Sequence, residues 1–214
     1  MSLKNLLLVL FGLSLMIPVL DAQVISAGGN AGGGGSGEDT SSYSVFVGYT
    51  SSWGTDTYGD VKAKAGFHAG GSYMNRDLLH GFIIEPGIRI TTRGLEYSEN
   101  WDYYDYKFEM NLLYLDGFIK AKLDINNFPI QPYAGFQAGV LLSAEAKVSM
   151  YGYSDSFDIK DDMNTMDFGL LFGADVVLQD RFTIGFEYNL GLTNIMDEGE
   201  TKNRTILLSV GFLF

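Results

Sequence analysis

The sequence predicts an all-β fold, an eight-stranded antiparallel up-and-down barrel that crosses a membrane, and three observations carry that prediction. Apolar and polar residues alternate with period two through eight stretches. The links between those stretches alternate long and short, as outer loops and inner turns do in membrane barrels. The last stretch, TILLSVGFLF at 205–214, would leave a bare apolar edge in water, whereas closure in lipid removes the edge and gives its apolar face to acyl chains.

Composition agrees with this reading. The chain has 214 residues, 27 glycines, 14% aromatic and 19% charged residues, and no cysteine. A disulfide framework, a thiolate zinc site, a thiol nucleophile and a lipid-modified cysteine are therefore excluded. A formal net charge of −12 leaves no basic patch to neutralise phosphates, so no nucleic-acid partner is expected. Hydropathy does not find such a barrel, because every second residue can be polar.

At the N-terminus Lys4 precedes an apolar run, 6–20, too short for a spanning helix, and Ala22 precedes Gln23. This pattern predicts a signal peptide over 1–22 and export of the rest. Residues 23–42 are glycine-rich and are expected to form a flexible linker. No Lys-Ser/Thr pair follows to make it a phosphate cradle. The barrel domain is expected over 43–214.

The first strand, 43–50, sets Tyr43, Val45, Val47 and Tyr49 against Ser44, Gly48 and Thr50. The second, 61–73, sets Val61, Ala63, Ala65, Phe67, Ala69 and Tyr73 against Lys62, Lys64, Gly66, His68, Gly70 and Ser72. In the third, 79–92, Phe82, Ile84, Pro86, Ile88 and Ile90 oppose Glu85, Gly87, Arg89 and Thr91. In the fourth, 108–123, Leu113, Leu115, Ile119 and Leu123 oppose Tyr114, Asp116, Lys120 and Lys122. The fifth, 130–144, sets Phe136, Val140 and Leu142 against Gly135, Gln137 and Gly139; the sixth, 166–178, sets Phe168, Leu170 and Phe172 against Asp167, Gly173 and Asp175. The seventh, 181–192, alternates Phe182, Ile184, Phe186 and Tyr188 with Thr183, Gly185, Glu187 and Asn189. The eighth puts Ile206, Leu208, Val210, Phe212 and Phe214 on the lipid side, with Ser209 and Gly211 toward the lumen.

One face is bulky and apolar, and the other mixes glycine with charge. The predicted lumen set is Lys62, Lys64, Arg89, Lys120 and Lys122 against Glu85, Asp116, Asp167, Asp175 and Glu187, which would pair and plug a narrow eight-stranded lumen. Long links are expected at 51–60, 93–107, 145–165 and 193–204, and short turns at 74–78, 124–129 and 179–180. An even strand count returns both termini to the short-turn side, so loops are expected outside and termini in the periplasm. Tyr43, Tyr73, Phe82, Tyr133, Phe182 and Phe214 fall near strand ends and are expected to form an interface girdle.

Several segments also carry a resemblance. They include AGFHAG at 65–70, FIIEPGIRITTRG at 82–94, YLDGFIKAKL at 114–123, PYAGFQAGVLL at 132–142, DFGLLFGADV at 167–176, FEYNLGLTNI at 186–195 and NRTILLSVGFLF at 203–214. The chain resembles the PorT-like, OmpA-type outer-membrane β-barrels of Bacteroidetes, often labelled a porin family. That resemblance implies an outer-membrane barrel inserted by the barrel-assembly machinery, with the C-terminal aromatic Phe214 as the assembly signal.

Chemistry is sparse. His68 with Ser209 and Asp175 could imitate the triad of a barrel lipid-modifying enzyme, but no serine-nucleophile motif surrounds Ser209, and a hydrogen-bonded lumen histidine is the simpler expectation. No catalytic residue, cofactor or metal site is expected; the acids near 155–162 lack a calcium-loop pattern. The better candidates are loop residues. Tyr97, Trp101, Tyr103, Tyr104 and Tyr106 stand among acids in GLEYSENWDYYDYK at 94–107, a composition suited to sugars or cationic partners. The expected function is a structural or surface-binding one, with lipid and lipopolysaccharide around a monomer. A small-solute porin, a lipid-modifying enzyme and a secreted soluble sandwich are the alternatives.

Overall fold

A computed structural model describes residues 41–55, 61–79, 81–101, 104–125, 128–150, 153–196 and 199–214. The signal peptide and nearly all of the glycine-rich linker expected from the sequence lie outside the described residues. The strands are β1 (Ser41–Gly54), β2 (Val61–Leu79), β3 (Phe82–Trp101), β4 (Tyr104–Leu123), β5 (Ile130–Met150), β6 (Tyr153–Asp158), β7 (Met166–Leu178), β8 (Phe182–Asn194) and β9 (Lys202–Leu213). A single 3-10 turn, Lys160–Asp162, lies between β6 and β7.

All neighbouring strands are antiparallel, in the order β4-β3-β2-β1-β9-β8-β7-β5, and a further β4–β5 pairing closes the ring. Eight strands thus form a closed barrel, and β6 extends it as a hairpin on β5 alone. The β1–β9 seam runs from Ser44↔Leu213 to Gly54↔Asn203, and Phe214 extends it by exchanging two main-chain bonds with Tyr43 (2.9 and 3.0 Å). The edge that TILLSVGFLF would expose in water is therefore consumed by closure. Gln179 and Asp180 both take left-handed φ (53° and 55°) in the three-residue link 179–181 between the paired Leu178 and Phe182, where Arg181 N–H donates to Leu178 O (3.2 Å), a twist that suits the β7–β8 hairpin.

Side chains alternate through the ring as the period-two pattern requires. Val45, Val47, Phe67, Ile88, Ile119, Phe136, Phe172, Ile184, Phe186, Leu208 and Val210 are exposed on the outer face. Only lipid makes so continuous an apolar exterior stable. Near the short-turn end an aromatic belt closes this band: Tyr43 packs on Tyr73 (5.3 Å between centroids) and Phe214 (6.1 Å), and Phe182 on Phe212 (5.5 Å). Tyr133 does not join it. Its ring is buried inside, because 133 shares the parity of the lumen residues Gly135, Gln137 and Gly139.

Beyond the band the pattern inverts. β3, β4 and β5 have 20, 20 and 21 residues, against 13, 13 and 12 for β7, β8 and β9. The surplus carries them roughly 25 Å farther along the strand direction, at about 3.3 Å per residue. In this extension Leu95, Met110, Ala144 and Ala146 turn inward and are buried, whereas Glu96, Lys107, Glu109 and Glu145 lie on the opposite, polar face. Apolar-outside becomes apolar-inside between Arg93 and Leu95 on β3 and near Leu113 on β4, which marks where lipid gives way to water.

The expected loops at 93–107 and 145–165 are thus largely strand. Each continues an adjacent stretch whose alternation changes sides and so no longer reads as a membrane strand. A β-bulge between Leu113 and Tyr114 in the β4–β5 register helps to reset the faces.

Candidate functional site

Three layers fill the interior. At the short-turn end Met74, Ile83 and Leu213 form an apolar cluster with Val177 packed against it. At the long-link end lies a second cluster, Leu95, Met110, Leu112, Tyr114, Leu141, Ala144, Met163 and Ile195, with Phe108 and Ile159 against it. Charged side chains occupy the middle.

In that middle layer Arg89 Nη1 lies 2.6 Å from Glu187 Oε1 and its Nε 3.5 Å from Asp116 Oδ2. Lys120 Nζ reaches Glu187 Oε2 at 2.8 Å, and Tyr133 donates to the same oxygen at 3.0 Å. Lys122 bridges Glu85 (2.6 Å) and Asp175, and the Ser72 hydroxyl donates to Glu85. Aromatic faces complete the cage: Arg89 lies over Phe118 (5.3 Å) and Lys120 over Tyr133 (4.5 Å). Gly87 gives Phe118 its space, since a Cβ there would stand 2.3 Å from the ring. Buried charges in so narrow a lumen require such pairing and hydrogen bonding.

Eight of the ten charges expected in the lumen stand in this network. Lys62 does not. The β2–β3 register slips between Ala63 and His68, and the bulge there carries Lys62 to an exposed position where it donates to the Ser98 hydroxyl (2.7 Å). Lys64, within the same slip, joins a part-exposed cluster with Glu109 (3.2 Å), which also binds Lys107 (3.1 Å). The Lys107 hydrogen bond holds the Glu109 carboxyl below the usual range, and Glu109 in turn raises Lys107.

Arg93 belongs to the network and was expected in a loop. It binds Asp116 and Asp167, each at 2.5 Å, and lies over the Tyr114 ring at 4.6 Å. The signal for it is the parity run 89, 91, 93, which continues past the point where Gly94 suggests a break.

The triad does not assemble. Ser209 and Asp175 line one small cavity of about 20 Å³, but neither nitrogen of His68 has a hydrogen-bond partner. His68 is buried, with its ring 6.0 Å from Phe46 and its Cε1 over Gly48. The hydrogen bond expected for it is absent because its neighbours there are an aromatic ring and a glycine.

Segment 159–166 crosses the mouth of the barrel. Ile159 N–H donates to Ala144 O (3.1 Å), and the Asn164 side chain donates to Asn194 O and Met196 O (both 3.0 Å). Met163 pairs with Met196 in an isolated bridge and buries its side chain in the second cluster. Beside it is an open, polar hollow of about 430 Å³ lined by Lys160, Asp161, Asn164 and Thr165.

The aromatic candidates stand on the extension. Tyr97 and Tyr106 pack edge to face at 6.3 Å on its apolar face. Tyr103, and the side chains of Trp101 and Tyr104, lie outside the described residues. On the neighbouring hairpin Tyr153 is 84% exposed, with Phe157 and Met150 also exposed.

Residues 27–197 match the outer membrane protein beta-barrel domain family. No curated protein matches the chain. Among solved structures it is similar to Ail, the attachment invasion locus protein of Yersinia pestis, with 21% identity and a TM-score of 0.48 over 81% of this chain and 98% of that one. It is also similar to Neisserial surface protein A, with 14% identity and a TM-score of 0.44 over 81% and 96%. OprG of Pseudomonas aeruginosa matches with 12% identity and a TM-score of 0.37 over 82% and 96%. With its closed ring of eight strands, its lipid-facing exterior and a family match over most of its length, the chain belongs to the outer membrane protein β-barrel domain family and is an outer-membrane protein.

Proposed function

We propose that the barrel is a sealed scaffold that holds a binding sheet above the outer membrane, with no catalysis and no solute path of its own. The observation that carries this reading is the inversion of polarity along β3, β4 and β5, which makes one continuous sheet membrane-spanning at one end and water-exposed at the other. Ion pairs plug the middle of the lumen, and an apolar cluster stops it at each end. The long links face the cell exterior and the termini the periplasm. The acidic, aromatic extension is the surface that meets partners. Lipopolysaccharide surrounds the band, and Phe214, stacked on Tyr43, acts as the signal to the barrel-assembly machinery. Segments such as FIIEPGIRITTRG at 82–94 align the chain with the PorT-like members of its class.

Planar-bilayer recording tests the sealed lumen. The expected result is no stable current, since eight strands leave a lumen filled by side chains. Large, reproducible single-channel steps would overturn it in favour of a small-solute porin.

A further inference from the structure

Strand β6 is the one described strand of the sheet with an edge that meets no other strand: it pairs with β5 on one side, and on the other its Ser156 N–H makes only a local bond, to Asp155 Oδ1 (2.9 Å). The Ile159 N–H to Ala144 O bond fixes the phase of this ladder. Antiparallel alternation then directs the main-chain groups of Phe157, Asp155 and Tyr153 toward β5, and those of Ser154, Ser156 and Asp158 toward the open edge. All six side chains of YSDSFD are exposed.

Natural sheets guard such edges with lysine, proline or a bulge. β6 has none of these; it carries Asp155 and Asp158. Residues 94–111 and 144–165 each hold five carboxylates, against one lysine and two. Acids on an open edge repel a second copy of the same edge and attract a basic strand. Asp155 shares a face that is otherwise apolar, running from buried Met110 and Ala146 through Phe108 and Val148 to exposed Phe157 and Tyr153, while Asp158 lies on the opposite face beside Glu145.

We infer that β6 is a docking edge for an extended cationic polypeptide, which adds to the sheet as a further strand. The partner's main chain would bond Ser154, Asp158 and the Ser156 carbonyl, the Ser156 N–H being held by Asp155 Oδ1. Its apolar side chains would pack beside Tyr153 and Phe157, and its lysines or arginines would meet Asp155 between them and Asp158 on the opposite face. This inference rests on the reading of the extension as a binding surface and names the class of its partner.

The test uses the full-length protein in lipid nanodiscs and a capped peptide of about seven residues that alternates lysine with valine and phenylalanine. Four comparisons accompany it: the same peptide N-methylated at alternate amides, its glutamate counterpart, and the variants Ser154→Pro/Ser156→Pro and Asp155→Lys/Asp158→Lys. The proline at 154 removes a free edge donor and the proline at 156 the donor that Asp155 holds, and neither touches the ladder to β5. Saturable binding is expected, weakened about tenfold or more by N-methylation, by the prolines and by charge reversal. The glutamate peptide should not bind. Equal binding of the N-methylated peptide, or equal binding to the proline variant, would reduce the effect to charge adsorption and overturn strand addition. Absence of binding to the wild-type protein would overturn it too. Conductance is read on the same preparations, so a leaky barrel would refute the sealed-scaffold reading separately from the peptide result.

Discussion

Arg93 is the most demanding test of the interior. Its side chain is fully buried and binds Asp116 and Asp167, and its guanidinium lies over Tyr114. In Arg93→Met, Asp116 keeps only the longer contact to Arg89 Nε at 3.5 Å, and Asp167 keeps the Thr193 hydroxyl at 2.9 Å. Breaking a buried pair by removing one partner costs about 3–5 kcal/mol, because a desolvated charge is left uncompensated. At a urea dependence of about 2 kcal/mol per molar, the unfolding midpoint should fall by about 1.5–2.5 M. Unfolding in lipid vesicles, followed by the heat-modifiable gel shift of the folded barrel, measures it. Adding Asp167→Asn to Arg93→Met should recover part of the loss, since one of the stranded charges disappears. Lys62→Met, which removes only an exposed contact to Ser98, should cost less than about 0.5 kcal/mol and so shift the midpoint by less than about 0.25 M. If Arg93→Met proves no worse than Lys62→Met, the lumen is hydrated and the ion pairs are not what closes it.

Three further outcomes are expected. Gly48→Ala should destabilise by about 1–3 kcal/mol, because its Cβ would stand 1.9 Å from Leu208 O and 2.5 Å from His68 Cε1; Gly71→Ala, whose nearest atom is 3.2 Å away, should cost clearly less in the same unfolding assay. The chain has no native cysteine, so single cysteines report the lipid boundary directly. At positions 107 and 145 they should react with a membrane-impermeant maleimide, while at 88 and 136 they should be shielded in vesicles; labelling at all four would remove the polarity inversion as a boundary marker. Glu109 titrates below its ordinary range, so its contribution to the β3–β4 extension is present above that range and lost as pH falls through the lowered value. Hydrogen exchange, corrected for intrinsic rates, should show this part of the hairpin loosening in acid, and Glu109→Gln should flatten that dependence.

Most of the barrel was legible because a membrane strand has to alternate. Phe136, Ile184 and Val210 on one side, and Gln137, Glu187 and Ser209 on the other, follow from period two alone. Tyr133 is the instructive error. Its place near a strand end suggested a girdle, yet the parity shared with Gln137 sends it inward to Glu187. Parity is the stronger rule, because one residue of slip moves a side chain through the barrel wall.

The extension was less legible because its physics is reversed. Leu95, Met110 and Ala146 face inward as in a soluble sheet, so the same alternation stops looking like a membrane strand where water begins, and Trp101, Tyr104 and Tyr106 read as loop. The bulge that expels Lys62 has no signature of its own, since its extra residue is defined only by the facing strand. The free edge of β6 was equally hidden, because six residues of acid, serine and aromatic type carry no strand pattern without a partner.

By itself, then, the sequence determined the number of barrel strands, the two faces and a closed barrel in lipid, since alternation and an apolar terminal stretch are local properties that lipid makes compulsory. The tertiary structure alone decided which charges meet, that Arg93 is among them, where the sheet leaves the membrane, and which edge stays open. Those depend on register between strands far apart in sequence, and register is settled only when the ring closes.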